Sequence, residues 1–239
     1  MILFRNVDIE SVVPGILIED VRISPIQLSP NVRQRPILPG ADFVRMVQGT
    51  RTVEITFGLP EQDMRSRREM LDAVTKWARS DTPQPMTFPF LFTGRVLDVI
   101  CTSLPAPSAR QWWESRLSMA FTAYDPFFYS VYENSAACGS SSFFVGGSAP
   151  PRMRIERTLA TADAESPTYS DGTHTMAFTL IPAGNLVIDL NRQTVAVGNT
   201  SIMQYYQYGA TGAGFIIPKT GSMTITGIGT VKWRERWDE

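Results

Sequence analysis

His174, Cys101 and Cys138 are the only side chains in the chain able to act through an imidazole or a thiol. Zinc sites draw on several Cys and His at spacings such as CxxC or HExxH, and these three residues lie far apart without either spacing, so no metal centre is expected. As a catalytic base, His174 would need a Ser or Cys nucleophile, yet no G-x-S-x-G elbow occurs. Its setting, Asp171-Gly172-Thr173-His174, reads as a turn entering a strand, with the imidazole solvated. Asp and Glu number 23, but no pair of them is tied by sequence to a cleft, so glycosidase chemistry cannot be argued. Gly209-Ala210-Thr211-Gly212-Ala213-Gly214 follows Tyr205-Tyr206-Gln207-Tyr208 and precedes a strand, so it lacks the helix N-terminus that a phosphate cradle needs. Neither an enzyme nor a cofactor-binding protein is expected.

The bulk properties agree. The 239 residues fit one large or two ordinary domains, and 43% apolar with 19% charged residues describes a folded chain. Lys plus Arg total 22 against 23 Asp plus Glu, an even balance that argues against a general nucleic-acid binder. The N-terminal Met1-Ile2-Leu3-Phe4-Arg5 is no secretory signal, and no apolar run reaches membrane-spanning length, so cytoplasmic synthesis is expected, with both cysteines as free thiols.

Most of the chain must then be strand. Thr50–Phe57 alternates Val53, Ile55 and Phe57 against Thr52, Glu54 and Thr56, and the same alternation marks Ile16–Ile23, Leu117–Ala123, Met176–Ile181 and Met223–Ile225. One helix is expected over about 61–80, opened by Pro60, Glu61 and Asp63, with a stripe of Met70, Leu71, Val74, Trp77 and Ala78. Arg65, Arg67 and Arg68 fall on its solvated face. A boundary after Glu133 divides the chain into 1–133 and 134–239. Asn134–Pro151 reads as a linker holding one short strand, Phe143-Phe144-Val145, and Leu186–Asn199 as a hairpin turning at Asn191-Arg192.

In that order the elements resemble the distal tail protein (Dit) family of long flexible-tailed bacteriophages. The resemblance rests on an opening strand, Pro14-Gly15, Leu38-Pro39-Gly40-Ala41-Asp42, Gly49-Thr50-Arg51-Thr52-Val53-Glu54-Ile55-Thr56-Phe57, the helix ending in Trp77, and Tyr124-Asp125-Pro126-Phe127-Phe128-Tyr129. In the second half it rests on Leu186–Leu190 with Asp189 and on Val231-Lys232-Trp233-Arg234-Glu235-Arg236-Trp237. Phe43 follows Asp42 where the family often has Gly, a local departure.

The resemblance implies a mainly β fold, with an N-terminal ring-forming domain carrying one amphipathic helix and a C-terminal galectin-like β-sandwich. It implies a structural part of the virion tail tip, a six-fold ring of like copies. Its partners would be the tail tube protein, the tail-associated hub or fibre protein and a receptor-binding protein, with DNA only transiting an axial channel and no membrane insertion. Trp112 and Trp113, between two strands, are the candidate oligomer-interface residues, the other reading being that one of them plugs the core. A carbohydrate-binding, lectin-like adhesion module is the alternative function, with Tyr205, Tyr206 and Tyr208 as stacking platforms.

Overall fold

The computed structural model of the chain describes residues 1–34, 41–60, 63–105, 116–160, 166–179, 181–207 and 214–238. It is mainly β and divides into two compact units, Met1–Phe128 with Asp238–Glu239, and Tyr129–Trp237.

The first unit runs β1 (Leu3–Phe4), β2 (Val7–Asp8), α1 (Ile9–Val12), β3 (Leu17–Ile23), β4 (Leu28–Gln34), β5 (Ala41–Gln48), β6 (Arg51–Gly58), α2 (Met64–Ala78), β7 (Gln84–Thr87), β8 (Arg95–Ser103) and β9 (Arg116–Ala123). The β1–β2 turn holds Arg5 and Asn6 at φ 54 and 61, the left-handed pair of a tight hairpin whose twist matches the strands. Strand β6 sits between β3 and β9, and its alternation is realised: Val53, Ile55 and Phe57 are buried while Glu54 is exposed. Strand β8 pairs β7 through Val96–Val99 and β9 from Ile100 onward, so one long strand serves two partners.

Helix α2 is shorter than the sequence suggests. Asp63 is its N-cap, its carboxylate accepting from the backbone N–H of Arg65 at 2.8 Å and of Ser66 at 3.0 Å, and those bonds hold the carboxyl below its ordinary range. Glu61 lies outside the described residues. The helix turns Val74, Trp77 and Ala78 into the core, with Met70 and Leu71 half-buried. Trp77 meets Phe4 and Phe121 at 5.5 and 6.3 Å between ring centroids, and its indole N–H donates to the Val7 carbonyl. Arg51, at the start of β6, is buried with its guanidinium donating to the Asp238 carbonyl and lying over Phe128; desolvation lowers its pKa, with Asp238 opposing.

After β10 (Phe128–Ser130), which spans the boundary, the second unit has β11 (Asn134–Ala137), β12 (Phe143–Val145), β13 (Ala149–Leu159), β14 (Thr168–Ser170), β15 (Thr175–Ala177), β16 (Gly184–Asp189), β17 (Thr194–Val197), β18 (Thr200–Ser201), β19 (Gly221–Met223) and β20 (Thr230–Trp237). The main antiparallel sheet runs β18-β17-β16-β13-β20-β11, and the hairpin β14–β15 and the pair β12–β19 are separate small sheets. Their apolar faces share one core: Ile155, Ile188, Val231 and Trp233 from the main sheet meet Val145, Tyr169, Met176, Phe178 and Met223. Two expectations are corrected. Asn134–Ala137 is not linker but a strand paired with Thr230–Trp233, because its alternate small residues tolerate the edge of the sheet. The β16–β17 connection is Leu190–Gln193 rather than a two-residue turn, with Gln193 at φ 53 closing it. Gly147, at φ 97, packs against Arg236: a Cβ there would fall 2.3 Å from the Arg236 carbonyl oxygen.

Candidate functional site

On the main sheet of the second unit, strand alternation sends one residue in two outward. Arg152, Arg154, Glu156 and Thr158 of β13 face the same way as Asp189, Val187 and Asn185 of β16 and as Arg234, Lys232 and Thr230 of β20, since the register pairs Arg154 with Asp189 and Lys232, and Arg152 with Arg234. Charges on this face pair with one another along and across the strands. Arg154 reaches Glu133 at 2.6 Å and Glu156 at 2.5 Å, and Lys232 reaches the other Glu156 oxygen at 2.7 Å. Hydrogen bonds from Lys232, then Arg154, hold the Glu156 carboxyl below its usual range, and the bond to Glu156 raises Arg154.

At one end of this ladder stands Tyr129, almost wholly buried, with guanidinium carbons of Arg152, Arg234 and Arg236 at 4.5, 5.7 and 5.8 Å from its ring centroid. Arg234 also donates twice to the Ser130 carbonyl, at 2.8 and 2.5 Å. The β16–β17 turn is tied alongside: Asp189 accepts from the backbone N–H of Asn191 and Arg192, while the Asn191 amide accepts from Met153 N–H and donates to the Pro151 carbonyl. Together they wall a hollow of about 500 Å³ lined by Glu133, Arg152, Arg154, Asp189, Arg192 and Arg234. A second hollow of about 500 Å³ follows along the strands, lined among others by Glu156, Thr158, Asn185, Thr230 and Lys232.

The first unit offers a surface of another kind. Strands β4 and β5 form a two-stranded sheet of their own, closed at its base by Gly49 N–H donating to the Gln27 carbonyl. Leu28, Val44, Met46 and Val47 on it are 41 to 58% exposed. Leu28, Pro30 and Met46 fall on one face of the ribbon and Val47, opposite Ser29, on the other, so apolar side chains stand out on both faces. The edge strand β3 contrasts with it: a register shift at Glu19 and the charges of Glu19, Asp20 and Arg22 blunt that edge against further pairing.

Trp112 and Trp113 fall within 106–115, outside the described residues, as do most of the Gly209–Gly214 loop and Tyr208. Tyr206 cannot serve as a stacking platform: it is buried, with Phe178 and Phe215 against its ring, because an apolar strand neighbour drew it into the core. His174 closes a turn in which Asp171 accepts from the backbone N–H of Thr173 and His174, and its Nδ1 stands 3.4 Å from the same carboxylate. Burial alone would raise Asp171, yet those bonds keep it below its ordinary value. Arg65 pairs with Glu69 on the exposed helix face. Cys101 and Cys138 are half-buried free thiols, both pushed up by burial, Cys138 to about 11, so both stay protonated at neutral pH. Among the described residues no group of three His, Cys, Asp or Glu could hold a metal, and no helix is long and apolar enough to cross a membrane. In the sequence the charged ladder shows only as charge at alternate positions, in Arg152-Met153-Arg154-Ile155-Glu156 and Val231-Lys232-Trp233-Arg234.

No family model matches the chain, and no curated protein matches it by sequence. Among solved structures, its fold is that of the Dit protein of phage SPP1, described as a paradigm of the hub adsorption apparatus in phages infecting Gram-positive bacteria: TM-score 0.71 and 15% identity, covering 98% of each chain. Two structures of the phage P2 baseplate in its activated conformation, with Ca and with Sr, align at TM-scores of 0.41 and 0.43 and identities of 11% and 10%, over 91% of both chains in the first and 99% of this chain and 97% of the other in the second.

Proposed function

We propose that the chain is a distal tail protein: a structural component of a phage tail tip that assembles as a six-fold ring, joins the tail tube to the hub or fibre protein and leaves an axial channel through which DNA passes. The observation that carries this reading is the likeness of fold to the SPP1 Dit protein along the whole of both chains. The order of motifs from Pro14-Gly15 to Trp237 supports it on separate grounds, being a property of the residues themselves. In this reading residues 1–133 close the ring, and residues 134–239 form a galectin-like sandwich outside it that is a site for a receptor-binding protein. The protein is made in the host cytoplasm, ends in the virion tail and performs no catalysis.

The ribbon β4–β5 suits ring closure. Its exposed Leu28, Met46 and Val47 belong to no core among the described residues, and a cyclic ring lets each copy cover the ribbon of the next without open-ended growth. Trp112 and Trp113 are proposed as a second contact of the same ring. Purified protein imaged by negative stain should show discrete rings with a central hole, and Leu28→Asp with Met46→Asp should convert them to folded monomers. Rings that persist in the double variant remove the ribbon from the interface, and a wild-type chain monomeric at high concentration refutes self-assembly into a ring.

A further inference from the structure

We infer that the outward face of the main sheet in the second unit is a binding site for an acidic oligosaccharide, the oxyanion seated in the first hollow and sugar hydroxyls in the second. The first hollow carries four guanidiniums, those of Arg152, Arg154, Arg192 and Arg234, against two carboxylates, Glu133 and Asp189. The carboxylates are committed: Glu133 to Arg154, and Asp189 to the N–H groups of its own turn, with the Arg192 Nε only at 4.0 Å. Arg234 is held by neutral groups, the Ser130 carbonyl and the Tyr129 ring, so its position is fixed while its charge is not neutralised by them. A guanidinium oriented in this way presents a planar donor fork to a carboxylate or phosphate at little further cost in side-chain entropy.

The second hollow favours a polyol. Thr158, Asn185 and Thr230 bring hydroxyls and an amide, and Glu156 and Lys232 an acceptor and a donor, all on the same face. From the pair Arg154–Asp189 to the pair Thr158–Asn185 is four residues along the strand, on the order of 13 Å at the usual rise. One sugar ring does not span that, whereas a chain of two or three does. A continuous polyanion such as a nucleic acid is disfavoured, because Glu156 and Glu133 would oppose a phosphate at every step along the groove. A peptide would add at a sheet edge rather than lie across this face.

Calorimetric titration of the full chain at low salt tests the site, with trigalacturonic acid as the carboxylate probe and a phosphorylated trisaccharide as the phosphate probe. At least one should bind saturably at one per chain, with affinity falling as salt rises; neutral maltotriose and inorganic phosphate alone should bind about tenfold or more weakly, since each engages only one hollow. Which of the two probes binds identifies the oxyanion. Arg192→Gln, on a largely exposed side chain, and Arg234→Gln should each weaken binding about tenfold, the loss of one charge-assisted contact, and Asn185→Ala by about threefold. The inference is overturned if neither acidic trisaccharide binds, if a single-stranded oligonucleotide binds as tightly, or if Arg192→Gln, with its fold checked by circular dichroism, leaves the affinity unchanged.

Discussion

The ribbon β4–β5 and the sheet face of β13, β16 and β20 are both made of alternating antiparallel strands, yet they end in opposite states. On the sheet, alternate residues pack into a shared core and the intervening charges satisfy one another, Arg154 with Glu156 along β13 and Lys232 with Glu156 across strands. On the ribbon, Leu28, Val44, Met46 and Val47 stand exposed on both faces of two strands that, among the described residues, pair only with each other. A two-stranded ribbon is marginal by itself in water, and exposed aliphatic side chains gain nothing until something covers them. Alternation therefore builds a strand, while the presence of a second layer decides whether that strand stabilises its own chain or waits for another.

The comparison breaks most severely at Tyr129. Three arginines are spread over its ring, and the ring is buried, so Tyr129→Ala opens a cavity and removes the surface on which those guanidiniums rest. The expected cost is about 3–5 kcal/mol, as for other large aromatic truncations in cores. Urea denaturation followed by tryptophan fluorescence measures it; Tyr129→Phe should retain most of the stability. A loss under 1 kcal/mol for the alanine variant would mean that the arginines do not depend on the ring.

A smaller effect comes from the ladder itself. Glu156 is held below its ordinary carboxyl pKa first by Lys232 and then by Arg154, so the folded state binds its proton less readily than the unfolded chain. Its contribution is therefore complete above the unfolded value of about 4.3, and it is lost as pH falls through the lower folded value. These groups are about a third exposed, so solvent limits the sum to about 1 kcal/mol or less. Glu156→Gln should lower stability by that amount at pH 7 and by nothing near pH 2, which chemical denaturation at the two pH values would show. An equal loss at both would trace the effect to packing instead of charge.

Much of this contrast was legible beforehand, and the illegible part has physical causes. The buried face of β6 and the Val74–Trp77–Ala78 side of α2 follow from periodicity because each packs on a single layer. The start of α2 is ambiguous in sequence because Pro60 and Asp63 both suit a helix entrance, and the hydrogen bonds of Asp63 decide between them. Asn134–Ala137 resembles a linker in sequence, since an edge strand of Asn, Ser and Ala carries no hydrophobic signal, and its partner lies almost a hundred residues further along. The cage at Tyr129 brings its ring to Arg152 of β13 and Arg234 of β20, a meeting that no local window contains. The exposure of the ribbon was equally hidden, because alternation states which residues share a face and not what lies against it.

The smallest expected effect is the most telling for the ribbon. If its apolar side chains stabilised their own unit, replacing them would cost what a buried methyl-rich side chain costs, about 2–5 kcal/mol for a large-to-small change. Exposed as they are, Leu28→Ser and Val47→Ser should each change the stability of the isolated monomer by no more than about 0.5 kcal/mol. Thermal unfolding at dilutions where the wild type is monomeric isolates this quantity, and the same scan at high concentration adds back whatever assembly contributes. The wild type should gain in unfolding temperature with concentration and the two serine variants should gain less, so the difference between variants appears only where copies meet. A variant that unfolds several kilocalories more easily at every concentration would place Leu28 or Val47 in an intramolecular core, and the ribbon would then belong with the sheet and not opposite it.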